Sequence, residues 1–374
     1  MKQRTTLSFI GLALAGVIVF ISCSKSGNND TPPTPRATTD AVLVNLGTNI
    51  IVPSYQDLTT KTAALDASIT AFTTTPNATT LTAAQTAFKA AYFSWEACSE
   101  YQFGPAADLS LLTNVINVFP VDSTVIKSNI SSGTYTIDGL ANLKAQGFGG
   151  IDFLLFGADN ATTLGRYTTD ANATKAKKYL SDISGSIKTK AAAVSTAWSA
   201  SGGNYLAKFI AATGVNAGSS LSLLMNAFVQ DYDVVMKSYK IGVPIGKYGT
   251  TVLPVSPTKV EAYYSGMSIQ LMIQQVTALQ KMYLGGTSDG FDDKVIASKA
   301  MKNGVPLNDV ITAEFTALLA KLNALADPLS GQITNNLSGV NDLYTEATKM
   351  VVLMKVDLSS ALGVKISFQD DDGD

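Results

Sequence analysis

The stretch "GFGGIDFLLFG", residues 147–157, sets one carboxylate, Asp152, behind three glycines and inside a strongly apolar run. Few other groups are available to help it. The chain has no histidine, so a Ser-His-Asp or Cys-His pair, a histidine-ligated zinc site and a histidine pH switch are all excluded. With only Cys23 and Cys98, a disulfide framework or cysteine-rich metal cluster is excluded as well. Carboxylates, hydroxyls, Lys/Arg, Tyr and backbone groups remain. Ser256-Pro-Thr-Lys259 fits Ser-x-x-Lys, yet neither Ser-Asp-Asn nor Lys-Thr-Gly accompanies it, so the match is read as chance. Glu96 and Glu100 lie four apart and read as a solvated helix face. Glu261 reads as a first-turn acid that complements the dipole of a helix opening at Pro257.

The elements that must position these groups are helical. Leu58, Leu65, Ile69 and Phe72 recur at helix-face spacing, and Leu81, Ala84, Phe88, Ala91, Trp95 and Cys98 keep one stripe. Ile311, Phe315, Leu318, Leu322 and Leu325 form another stripe, as do Val340, Leu343, Ala347, Met350 and Met354. Such three-four spacing suits bundled antiparallel helices. Trp95 and Cys98 are expected in the core. Ser256-Pro257 predicts an N-cap and first helical residue for a helix through Tyr283, ended by Gly285-Gly286. Strand signals are confined to "TYTI" at 134–137 and "VKISF" at 364–368, so the class is all-α with minor β elements. The polar run at 158–175 marks a boundary, giving an N-terminal helical domain over 41–165 and a C-terminal one over 166–374.

Lys2, Arg4 and the apolar run from Leu7 to Ile21 predict an export signal over 1–22. Phe20-Ile21-Ser22-Cys23 is similar to a bacterial lipobox, in which Cys23 would carry the lipid. Residues 23–40 then form a flexible tether rich in Pro, Gly, Ser and Thr. The expectation is an outer-membrane lipoprotein of the cell envelope, attached to the membrane through its N-terminal lipid. A net charge of −2 without a basic tract leaves no footprint for nucleic acid. The "DDDGD" tail lacks the spacing of a calcium loop and reads as an exposed acidic end.

Five separated segments together resemble the imelysin-like family: "IIVPSYQDL" (50–58), "FSWEACSEYQFGPA" (93–106), "GFGGID" (147–152), "GVPIG" with "VEAYYSGMS" (242–246, 260–268), and "ALGVKISFQDDDGD" (361–374). The resemblance implies two helical-bundle-like domains with a site at their interface. It also implies an exported protein linked to iron uptake, with metal-dependent peptidase activity in some members, and it singles out Glu100. The family hallmark is similar to Gly-Phe-His-x-x-Glu. Here Gly149 stands at the histidine and Asp152 at the glutamate, so the site loses its nitrogen donor.

Three readings of that position stay open. Asp152, Glu100 and Glu261 could hold iron or another hard cation through oxygens alone. The glycine N–H groups could hold an anion. Or the glycines simply allow close packing around a satisfied Asp152. The resulting expectation is a non-catalytic binding or accessory protein serving iron or other nutrient uptake with an uptake-system partner protein. A carboxylate-only metal-dependent hydrolase is the alternative.

Overall fold

A computed structural model describes residues 40–368. The export signal, Cys23, most of its tether and the 370–374 acidic tail lie outside them. The described residues form one compact unit with a continuous apolar core, and so carry what an independently folding unit needs.

The expected stripes become core. The helix Val52–Thr74 buries Leu58, Leu65, Ile69 and Phe72, and the helix Ala78–Glu96 buries Leu81, Ala84, Phe88, Ala91 and Trp95. Each large apolar side chain so buried contributes about 1.5–3 kcal/mol. The turn between these helices is fixed by a capping box. The Asn77 side chain accepts from the Thr80 N–H at 3.0 Å, and Thr80 Oγ1 accepts from the Asn77 N–H at 3.1 Å. The helix Ala173–Trp198 packs on Val52–Thr74, so this helical layer continues past the polar 158–175 run. A second group pairs Leu307–Asn323 with Leu337–Val352 and with Ser268–Tyr283, and Leu337–Val352 packs on a π-helix at Asp231–Gly242. Trp95 and Cys98 are buried as expected. No helix among the described residues is long and apolar enough to cross a membrane.

Two local expectations fail. Neither "TYTI" nor "VKISF" forms a strand; the described β structure is two hairpins, Lys247–Tyr248 with Thr251–Val252 and Met301–Lys302 with Val305–Pro306. The helix expected from Pro257 begins instead at Ser268, after a short 3₁₀ turn at Pro257–Lys259 and a compact turn over 260–267. The cause is tertiary. Val260, Glu261 and Ala262 dive into the core, Ala262 takes φ +49°, and Gly266 takes φ +67°. The helix start is capped from far away, by the Asp327 carboxylate accepting from Ile269 N–H at 2.8 Å and Gln270 N–H at 3.1 Å. Helix termination at Gly285-Gly286, both at positive φ, is as expected.

Candidate functional site

The glycines around Asp152 answer first to packing. At Gly147, φ is +66° and an added Cβ would lie 2.1 Å from the Ile116 carbonyl oxygen, so only glycine fits. At Gly149 a Cβ would meet the Val118 carbonyl oxygen at 2.6 Å, and at Gly150 it would meet Ala145 O and Ile183 Cδ1, each at 3.1 Å. The position where the family resemblance places histidine is thus closed by backbone. Phe148 stacks on Tyr92, ring centroids 4.6 Å apart, which locks the helix Gly147–Phe156 against Ala78–Glu96.

Asp152 is satisfied, though not by its own helix. Its two oxygens accept from Tyr264 N–H at 2.9 Å and Ser265 N–H at 3.0 Å, pinning the 260–267 turn. Burial pushes its carboxyl up to about 6, against the pull of those N–H groups. Beside it lies a cleft of about 250 Å³ bordered by Gly149, Pro120, Val260, Tyr263 and Tyr264.

Behind this turn sits a buried polar cluster. Glu96 and Glu100, expected on a solvated face, are fully buried, as is Glu261. Glu96 and Glu261 are accommodated by Lys240, 2% exposed, whose ammonium lies 2.5 Å from Glu96 Oε2 and 3.0 Å from Glu261 Oε2. Asn117 bridges the same two acids from the other side, donating to Glu261 Oε1 at 2.6 Å and Glu96 Oε1 at 3.4 Å. Tyr92 donates to Asn117 Oδ1 at 2.6 Å. Burial, then the neighbouring Glu261, pushes the Glu96 carboxyl well up, while Lys240 pulls it back. Burial works against the Lys240 ammonium, but Glu261 and Glu96 more than offset it and hold the proton on.

Asp231 extends the cluster. It accepts from Gln275 at 2.6 Å and from Ser99 at 3.4 Å, and burial raises its carboxyl to about 6. Glu100 lies next to it, and burial followed by the Asp231 charge lifts its carboxyl to about 8, against the weaker pull of its own backbone N–H and of Tyr101. The shift favours the neutral form of Glu100 near neutral pH. Asp231 and Lys240 reach the same cluster because Asp231–Gly242 is a π-helix. Nine residues make about two and a half turns of an α-helix and would put the two side chains on opposite faces. The wider i→i+5 register brings them to one side.

The four residues nominated from sequence thus fall in one neighbourhood. Asp152 feels the Glu261 charge, and Glu261 feeds the Asp231 field beside Glu100. They do not converge on one ion. Asp152 is tied to backbone N–H groups and Glu261 to Lys240, and no group of three or more Asp, Glu or Cys among the described residues is placed to hold a metal. Glu261 lies in a buried turn, where its backbone carbonyl accepts from the Ser268 hydroxyl, and so is not a first-turn acid. Sequence reasoning missed Lys240, Asn117, Asp231 and Gln275. The available signal was "DYDVVMKSYK" at 231–240, where acids and lysines interrupt an apolar segment without an α-period polar face.

The family described as Peptidase_M75: Imelysin matches residues 51–350. The chain is 20% identical over 327 residues to iron-regulated protein A of Synechococcus elongatus, covering 87% of this chain and 85% of that protein. Two solved structures share the fold. An iron-regulated protein A precursor from Parabacteroides distasonis has TM-score 0.68 and 17% identity, covering 86% of this chain and 94% of its own. An imelysin-like protein from Psychrobacter arcticum has TM-score 0.67 and 18% identity, covering 87% and 96%.

Proposed function

From the premise that this chain belongs to the imelysin family, we propose that it is an envelope lipoprotein that binds rather than hydrolyses, an accessory of iron or other nutrient uptake. In this reading Cys23 carries the lipid, and the family's His-x-x-Glu motif has degenerated to Gly149-x-x-Asp152. The Lys240 ammonium between Glu96 and Glu261 carries the proposal: of the acids a metal would need, Glu261 is already paired with a tethered cation. A catalytic metal ion of the peptidase kind does not fit the donors present. No imidazole exists, both Asp152 oxygens are engaged by N–H groups, and the Val118 carbonyl fills the space of a side chain at 149. The iron connection rests on the names of the relatives and belongs to the proposal.

The test is calorimetric titration of the 39–374 unit with Zn²⁺, Ca²⁺ and ferric citrate, alongside a fluorogenic peptide-hydrolysis assay. Absence of both heat at this cluster and hydrolysis is expected. Saturable metal binding that is lost in Asp152→Ala, together with peptide cleavage, would replace this reading with the carboxylate-only hydrolase. The anchor is tested separately: incorporation of an alkyne-tagged fatty acid should disappear in Cys23→Ala, and retention of the label would overturn the lipid assignment.

A further inference from the structure

A second, larger cavity of about 690 Å³ opens on the far side of the polar cluster. Its size falls within the ~300–1,000 Å³ of small-molecule sites. Its walls are mostly apolar: Leu112, Leu143, Val234, Val235 and Tyr239. Its floor is made by Asn117 and Gln102, and both amides are already committed inward. Asn117 donates to Glu261 and Glu96, and Gln102 donates to Thr113 Oγ1 at 2.7 Å and to Ser99 O at 2.7 Å. The floor therefore demands no polar ligand. Lys144 is the only charged residue in the lining; it is exposed, and no carboxylate pairs with it among the described residues.

The π-helix Asp231–Gly242 separates the two regions. It turns Val234, Val235 and Tyr239 toward the cavity and Asp231 and Lys240 toward the acids. π-helical segments recur at functional sites. The acids behind the floor disfavour an anion deep in the cavity, and Lys144 favours one in the lining. A charged head is thus oriented outward. We propose that this cavity binds an amphipathic small molecule with an apolar body and a single anionic head paired to Lys144. The proposal deepens the binding-protein reading above and rests on it.

Anilinonaphthalene sulfonate, which combines fused apolar rings with one anionic group, is a direct probe for the 39–374 unit. Saturable one-to-one binding is expected, displaced by decanoate. Leu143→Trp, which fills the cavity, should weaken the dye by at least about tenfold. Asn114→Trp at the exposed lining is the second filling variant, used if Leu143→Trp melts early. Lys144→Ala should weaken decanoate about threefold to fivefold, the scale of one exposed ion pair, and leave decanol displacement unchanged. Dye binding unaffected by a folded filling variant would overturn the site. Equal losses for decanoate and decanol in Lys144→Ala would overturn the anionic head. Metal binding or peptide cleavage would strike the wider reading and leave these dye results as they stand.

Discussion

Glu100→Gln should stabilise the protein in alkaline solution and flatten its dependence on pH. Glu100 is fully buried, and burial with the neighbouring Asp231 charge pushes its carboxyl up to about 8 from an ordinary 4.5. Between those values the native state holds a proton that the unfolded chain has released. Stability therefore falls as pH rises through this window, and the loss is complete above the folded value. At about 1.4 kcal/mol per tenfold, the interval from 4.5 to about 8 corresponds to about 4–5 kcal/mol. Glutamine copies the shape of the neutral acid and cannot ionise. Urea denaturation of both proteins from pH 5 to pH 9 measures the effect. The curves should lie close together at pH 5 and diverge steadily above it, the variant being more stable by several kcal/mol at pH 9. Parallel profiles across the range would refute the assignment of a raised Glu100 carboxyl.

Removing the tethered cation is expected to be costly: Lys240→Met leaves Glu96 and Glu261 facing each other in the core, a loss of about 3–5 kcal/mol by urea denaturation at pH 8 that shrinks as Glu96, whose carboxyl burial already pushes up, protonates on acidification. Gly149→His, which restores the family's imidazole, should create no zinc site by calorimetry and should lower stability by about 1–3 kcal/mol, because its Cβ must displace the Val118 carbonyl. Asp152→Ala should cost about 2–3 kcal/mol, since it orphans the Tyr264 and Ser265 N–H groups, and faster hydrogen exchange confined first to the 260–267 turn would identify the cause.

The apolar stripes of the long helices were legible because burial of one face is written in local periodicity; Leu58 through Phe72 and Ile311 through Leu322 fall where that pattern puts them. The neighbourhood of Glu100, Gly149, Asp152 and Glu261 was also reachable, through the resemblance rather than through the residues themselves. What could not be read was anything decided by a distant partner. Glu96 looks solvated until Lys240, 144 positions later, supplies its counter-charge. Ser256-Pro257 carries a sound local signal for a helix start, yet the core draws Glu261 inward and Asp327 caps the true start at Ser268. Gly149 looked like a lost ligand position; the Val118 carbonyl against it makes it a packing position as well.

The π-register of Asp231–Gly242 has a consequence for chain length. Most surface loops here could gain or lose a residue with little effect, since loop closure is cheap to adjust. Inside the π-helix a single deletion would let the i→i+4 ladder re-form and change the phase between Asp231 and Lys240. Lys240 would leave Glu96 and Glu261, and Val235 and Tyr239 would leave the cavity wall, in one step. This twelve-residue segment is therefore more sensitive to its count of residues than to the identity of most of them.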